Sequence, residues 1–228
     1  MDDHDSSRSS NSMATVIGGP ADRLTVLHWY DFICPFCYVA QARNRLLAER
    51  GFALTDLAFE IHPEIPPRGQ YVGPRSGKMY ANLEIEADKA GLPLHWPERM
   101  PNSRMALAAA EWVRRNQPDM FGNFAQSLFA AHFADRADIG SQDVVEDRAR
   151  ESCVRVEDMV RALADKSAFA FVGETELLGR REGVQSTPSW LIGGRIVAGL
   201  LSNDVFIQVA DKAKSDPDYG VSDDGRGR

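Results

Sequence analysis

The hydrophobic pattern opens with a short dense run, Leu24-Thr-Val-Leu-His-Trp-Tyr30, whose β-branched and aromatic content predicts a buried strand. After Asp31 the pattern changes. From Pro35 the chain reads PFCYVAQARNRLLAERG, rich in helix formers, with Val39, Leu46 and Leu47 on a helical repeat and Gly51 as its stop. Leu57, Phe59 and Ile61 then alternate with Ala58, Glu60 and His62, which predicts a second strand. Strand, helix, strand in this order implies a parallel βαβ unit.

A Pro- and Gly-rich passage from His62 to about Gly77 reads as a crossing between subdomains. From Met79 to Arg181 the periodicity is helical. One helix is expected over Met79–Ala90, stopped by Gly91, and another from an Asn102 N-cap with Met105, Ala109, Trp112 and Val113 on one face. Pro118 opens a third, Ser141 caps a shorter one, and a last stretch from Val156 to Arg181 is expected to break near Gly173. Past Gly183 the β pattern returns: Pro188 to Ile192, a Gly193-Gly194 turn, Arg195 to Ala198, and an amphipathic helix over Val205–Lys214. The order βαβ, helical block, ββα predicts an α/β, thioredoxin-like fold with a large all-helical insertion. Its expected division is 23–62 with 183–214 for the thioredoxin-like part and 63–182 for the insertion. Residues 1–22 and 215–228 are polar, small and acidic and are expected to be disordered, with Met13 an alternative start.

Composition narrows the function. A net charge of −7 in 228 residues argues against a nucleic-acid backbone as main partner. No apolar run is long enough for a secretory core or a membrane span, so the expected setting is the cytoplasm. Three cysteines are too few, and odd in number, for a disulfide framework.

The sharpest signal is Cys34-Pro35-Phe36-Cys37 between a strand and a helix. A thiol at a helix N-terminus faces unpaired N–H groups and a partial positive charge, which lower its pKa. It can attack a disulfide, and a second thiol three residues on can resolve the mixed disulfide. Cys34 is therefore the candidate nucleophile and Cys37 the candidate resolving thiol, with Pro35 fitting a position that needs no N–H. Half a zinc knuckle is the competing reading, but Zn²⁺ takes four ligands, Cys153 stands alone and His132 has no partner at ligand spacing. Ser186-Thr187-Pro188 is the second signal, a proline at the mouth of a strand where a cis bond can occur.

DFICPFCYVAQARNRL, FEIHPEIPPRG and GVQSTPSWLIGGRIVAGL resemble the DsbA-like thioredoxin-fold proteins, in particular the FrnE-type branch, from about Arg23 to Lys214. The resemblance implies a cis bond before Pro188, which would face Cys34, and backbone contacts from Thr187 to an extended substrate. It also implies a thiol–disulfide oxidoreductase acting on protein or small-molecule thiols, with Pro35 and Phe36 beside the substrate. No bound cofactor or metal is implied, and glutathione is a candidate co-substrate. Phe36 departs from the Pro-His pair of DsbA itself and brings no positive charge to the thiolate, which argues against an extreme oxidant.

Other residues carry weaker signals. His28 and Asp31 are candidate proton handlers near Cys37, although a His on a core strand is more often structural. His62-Pro63-Glu64 reads equally as groove wall or turn. Cys153 reads as a small buried hydrophobe on a helix, and Trp112, Phe121, Phe124 and Phe129 as core, some of them facing Cys34. Two other functions share this pattern. One is a glutathione-dependent isomerase of the 2-hydroxychromene-2-carboxylate or kappa type, which usually carries Ser where Cys34 stands. The other is a non-catalytic peptide-binding or chaperone module.

Overall fold

A computed structural model describes residues 24–216 and 219–220. The expected disorder of 1–22 and of most of the C-terminal tail lies outside the described residues. Strand β1 (Thr25–Tyr30) leads into helix α1 (Pro35–Glu49) and strand β2 (Ala53–Ala58). Near the C-terminal end, β5 (Ser189–Ile192) and β6 (Arg195–Ala198) form a hairpin followed by α8 (Asn203–Ser215). The four strands make one sheet in the order β2-β1-β5-β6. β1 runs parallel to β2 and antiparallel to β5. The Ser202 side chain accepts from the Val205 N–H and caps α8, which runs through Ser215.

Alternation along β1 divides the core. Val26 faces α1 and α8, packing with Ala40, Leu47, Trp190 and Phe206. Trp29 points the other way, into a cluster with Leu57, Phe59 and Val184. Between the halves of this sheet the chain inserts α2 (Lys78–Lys89), α3 (Arg104–Asn116), α4 (Pro118–Phe133), α5 (Gln142–Glu151), α6 (Val156–Ala164) and α7 (Ser167–Arg181). The insertion is not entirely helical. Gln70–Tyr71 (β3) pairs antiparallel with Arg99–Met100 (β4), a ribbon too short to leave a period in the sequence.

Other expectations need correction. The second strand ends at Ala58, three residues before Ile61. Beyond Phe59, whose N–H still reaches the Tyr30 carbonyl, side chains take over the ladder. The Glu60 N–H donates to Glu176 and the Ile61 N–H to Asp31. The last helical stretch breaks at Asp165–Lys166, where Lys166 has φ 69°, and Gly173 lies inside α7. The residue before α3 is Ser103, while the Asn102 side chain accepts from the Arg104 N–H. Cys153 sits past the end of α5, exposed and with φ 61°, where no helix face buries it.

Two inserted helices close the open edge of the sheet. β2 is an edge strand, and an edge leaves backbone groups unpaired. At Ala58 the buried Glu111 carboxylate of α3 accepts from the N–H at 2.8 Å. The Thr175 hydroxyl of α7 donates to the Ala58 carbonyl, also at 2.8 Å. α7 approaches the sheet at Gly179, where an added Cβ would lie 2.8 Å from Trp29 Nε1 and 3.0 Å from the Phe59 ring. At Gly173 nothing lies within 4 Å of such a Cβ. Alanine normally stabilises a helix interior by about 1 kcal/mol over glycine. Gly173→Ala should therefore gain up to about 1 kcal/mol, whereas overpacking at Gly179→Ala should cost roughly 1–3 kcal/mol. Urea unfolding midpoints of the two variants test this, and equal effects at both sites would contradict the packing described.

Candidate active site

The site forms where α1 begins. Cys34 is the N-cap of α1 with extended backbone (φ −83°, ψ 112°), Pro35 occupies its first turn, and no side chain caps the helix. The N–H groups left uncapped in that turn therefore favour a negative charge at the cysteine, and that of Cys37 bonds it. The Tyr38 N–H already closes on the Cys34 carbonyl at 3.1 Å. Cys37 follows one turn in, and both cysteines are free thiols.

Opposite stands the loop before β5, where the Thr187–Pro188 peptide bond is cis. The Cys34 thiol donates to the Thr187 carbonyl at 3.3 Å, joining residues 153 apart in sequence. The Ser189 hydroxyl donates to the Ser186 carbonyl at 2.7 Å and steadies the same loop. The Thr187 hydroxyl is buried and has no partner at hydrogen-bonding geometry.

The two thiols differ electrostatically. Burial pushes Cys34 up, and the negative charge of Asp31 adds to that. Hydrogen bonds from the Cys37 thiol and N–H outweigh both and hold Cys34 below the ordinary cysteine value. Burial drives Cys37 well above it, and donating its proton to Cys34 drives it further. One sulfur is thus set to ionise and its neighbour to keep its proton, the asymmetry that attack followed by resolution requires.

They also face different spaces. Cys34, 3% exposed, lines a hollow of about 360 Å³ together with Phe36, Thr187, Tyr80, Trp96 and Arg99. Cys37 lines a separate one of about 220 Å³, with His28, Tyr30 and Phe129. His28 stands 2.6 Å from Asp56 through Nδ1, while its Nε2 and the Tyr30 hydroxyl are buried without partners. Phe129 therefore faces the Cys37 side, and Phe124 is core. The apolar wall before Cys34 comes instead from α2 and the loop after it. Sequence periodicity did not reveal Tyr80, Trp96 or Arg99 as site residues. The one available signal was a large aromatic, Trp96, in a Pro-rich polar stretch. His62 reaches the Cys34 hollow and pairs with Glu64 at 2.8 Å. His132 lines it too, and burial lowers its pKa to about 4, so its imidazole is neutral at pH 7. Among the described residues no group of three or more His, Cys, Asp or Glu could hold a metal ion. No helix there is long and apolar enough to cross a membrane.

Fold and site together define a thioredoxin-fold protein with a Cys-x-x-Cys pair facing a cis-proline loop. The chain matches the DSBA-like thioredoxin domain over residues 25–209 and belongs to that family. Similar solved structures include a probable DsbA oxidoreductase from Streptomyces coelicolor, with 22% identity over 84% of this chain and 90% of that one and a TM-score of 0.74. A 2-hydroxychromene-2-carboxylate isomerase is 16% identical, covers 83% of this chain and 95% of its own, and has a TM-score of 0.67. The cytosolic disulfide reductase DsbM from Pseudomonas aeruginosa, solved with GSH, is 16% identical over the same shares, with a TM-score of 0.60. At these identities the likeness is one of fold. No curated protein sequence matches the chain.

Asp31 yields a test of the electrostatics. It is fully buried, its Oδ1 accepting from the Ile33 N–H and its Oδ2 from the Ile61 N–H. Burial outweighs those bonds and raises its pKa to about 6. An unfolded Asp releases its proton near pH 3.9, so between about pH 4 and 6 the folded state binds more protons than the unfolded one. Stability from this group is full below about pH 4 and falls as pH rises through about 6, by roughly 3 kcal/mol. The stability difference between wild type and Asp31→Asn should shift towards the variant by that amount between pH 4 and 6.5. A pH-independent difference in denaturant titrations would contradict it.

Proposed function

We propose that the protein is a thiol–disulfide oxidoreductase with Cys34 as nucleophile and Cys37 as resolving thiol. The observation that carries this reading is the asymmetry of the pair. The sulfur with the lowered pKa opens onto the larger hollow beside the cis-proline loop, and its protonated neighbour is turned away. The Cys34 thiolate attacks a substrate disulfide, forming a mixed disulfide and expelling one substrate thiolate, which takes up a proton. Cys37 then gives up its proton and attacks the Cys34 sulfur. The second substrate thiol leaves and a Cys34–Cys37 disulfide remains, so two electrons have passed to the substrate. Run backwards, the same steps oxidise a dithiol.

Thr187 offers backbone hydrogen bonds to an extended substrate, Pro188 shapes that loop, and Pro35 and Phe36 border the substrate. No cofactor or metal enters the scheme. Glutathione serves as diffusible reductant or oxidant, a role in keeping with the GSH in the DsbM structure. The FrnE-type placement rests on the sequence motifs. An isomerase reading has the carboxylate isomerase fold in its favour, but it gives Cys37 no task.

Equilibration in graded glutathione buffers, with alkylation trapping and mass readout, tests the proposal. A reversible two-electron transition should appear and be lost in Cys34→Ser. With Phe36 adding no charge, the midpoint should fall nearer the roughly −270 mV of thioredoxin than the roughly −120 mV of DsbA. Failure of the pair to form a disulfide at any poise would bring the isomerase and binding-module readings forward.

A further inference from the structure

The hollow above Cys34 neighbours a second one of about 390 Å³, and both are lined by Trp96, Pro97, Arg99 and Met100. Arg75 and Arg99 line the first, and Arg68, Arg99 and Arg136 the second. Most arginines among the described residues are tied up in ion pairs, as Arg43, Arg104, Arg114, Arg148 and Arg150 illustrate. Arg68, Arg75, Arg99 and Arg136 stand in none among the described residues. Outside these hollows only Arg45 and Arg195 share that condition.

What these side chains touch is not a carboxylate at ion-pair distance. Arg75 lies over the Tyr80 ring, and Arg99 donates to the Arg68 carbonyl at 2.9 Å. Two carboxylates, Glu98 and Asp138, line the second hollow, and Asp138 accepts from the Gly140 N–H. No carboxylate lines the first. A chain of net charge −7 thus places an arginine-rich trough beside its reactive sulfur.

We propose that this trough selects polypeptide disulfides whose cysteine is flanked within a few residues by Asp or Glu. The inference rests on the oxidoreductase reading and adds the substrate class. Overall negative charge repels an acidic segment at long range, so unpaired guanidinium groups at the site must supply the local attraction. Arginine meets carboxylates through a planar fork of donors, and Trp96 and Met100 offer apolar surface to the stems of the segment. An extended chain covers about 3.3–3.6 Å per residue, and the shared lining of Trp96, Pro97, Arg99 and Met100 directs a segment docked at Cys34 towards the second hollow. The exchange is unchanged: Cys34 bonds to the peptide sulfur, the peptide disulfide breaks, and Cys37 releases the second thiol as the protein pair becomes oxidised.

The test measures second-order rates of the reduced full-length protein with synthetic peptide disulfides of one sequence, flanked by Glu, Gln or Lys. 2-Hydroxyethyl disulfide serves as an uncharged reference and oxidised glutathione as a small anionic one. Each exposed ion pair is weak, so two or three of them together should favour the Glu over the Gln peptide roughly three- to tenfold, with the Lys peptide slower still. The preference should fall at high salt and shrink to near unity in R68Q/R136N. Asn suits position 136, where φ is 58°, and this pair leaves the Arg99 side chain in place. Arg195→Gln, away from both hollows, should keep the preference. Exchange with the uncharged disulfide but no Glu preference, or one that R68Q/R136N leaves intact, overturns this proposal alone. A preference for oxidised glutathione without one for the Glu peptide overturns the polypeptide occupant. No exchange with any disulfide overturns this proposal together with the oxidoreductase reading.

Discussion

The site depends on one long-range contact, the meeting of the Cys34 thiol with the Thr187 carbonyl across 153 residues of intervening chain. Each partner is held by an element with other reasons to be there. Cys34 is fixed because β1 is paired on both sides and hands directly into α1. Thr187 is fixed because β5 pairs with β1 in a register that sets Ser189 opposite Trp29. The central strand therefore positions both halves of the site, and a slip in either pairing would part the sulfur from the carbonyl.

The helical insertion has two physical roles around that contact. It closes the exposed edge of β2, through Glu111 and Thr175 on the two backbone groups of Ala58. It also buries Cys34 and Cys37 in the same apolar cluster as α3 and α4. Burial alone would keep both thiols protonated. The lowered pKa of Cys34 comes from donors that survive inside that dry setting, the Cys37 thiol and N–H in the first turn of α1. The insertion supplies dryness and walls, while the thioredoxin-like part supplies the polarity.

Much of this was legible in the sequence for reasons that are local. Hydrophobic periods of two and of about 3.6 placed β1, α1, the hairpin and most of the inserted helices, and the Cys-x-x-Cys pair announced itself between a strand and a helix. What escaped was non-local. The end of β2 is set by Asp31 and Glu176, which replace its ladder from other elements. The break before α7 falls at Lys166, which carries no glycine or proline signal. Cys153 reads as core by residue type yet lies exposed after a helix end. The walls of the Cys34 hollow come from an aperiodic stretch around Trp96 and Arg99, where patterning carries no information about position in space.

The most direct test of the central claim compares the two sulfurs in one molecule. Reduced protein is pulse-alkylated across a pH series, and the label on Cys34 and on Cys37 is quantified separately by peptide mass. The account predicts that Cys34 reacts with a midpoint below the ordinary cysteine value of about 8.5 and that Cys37 stays nearly unlabelled through neutral pH. Equal labelling of the two, or faster labelling of Cys37, would contradict the assignment of attack to Cys34 and resolution to Cys37.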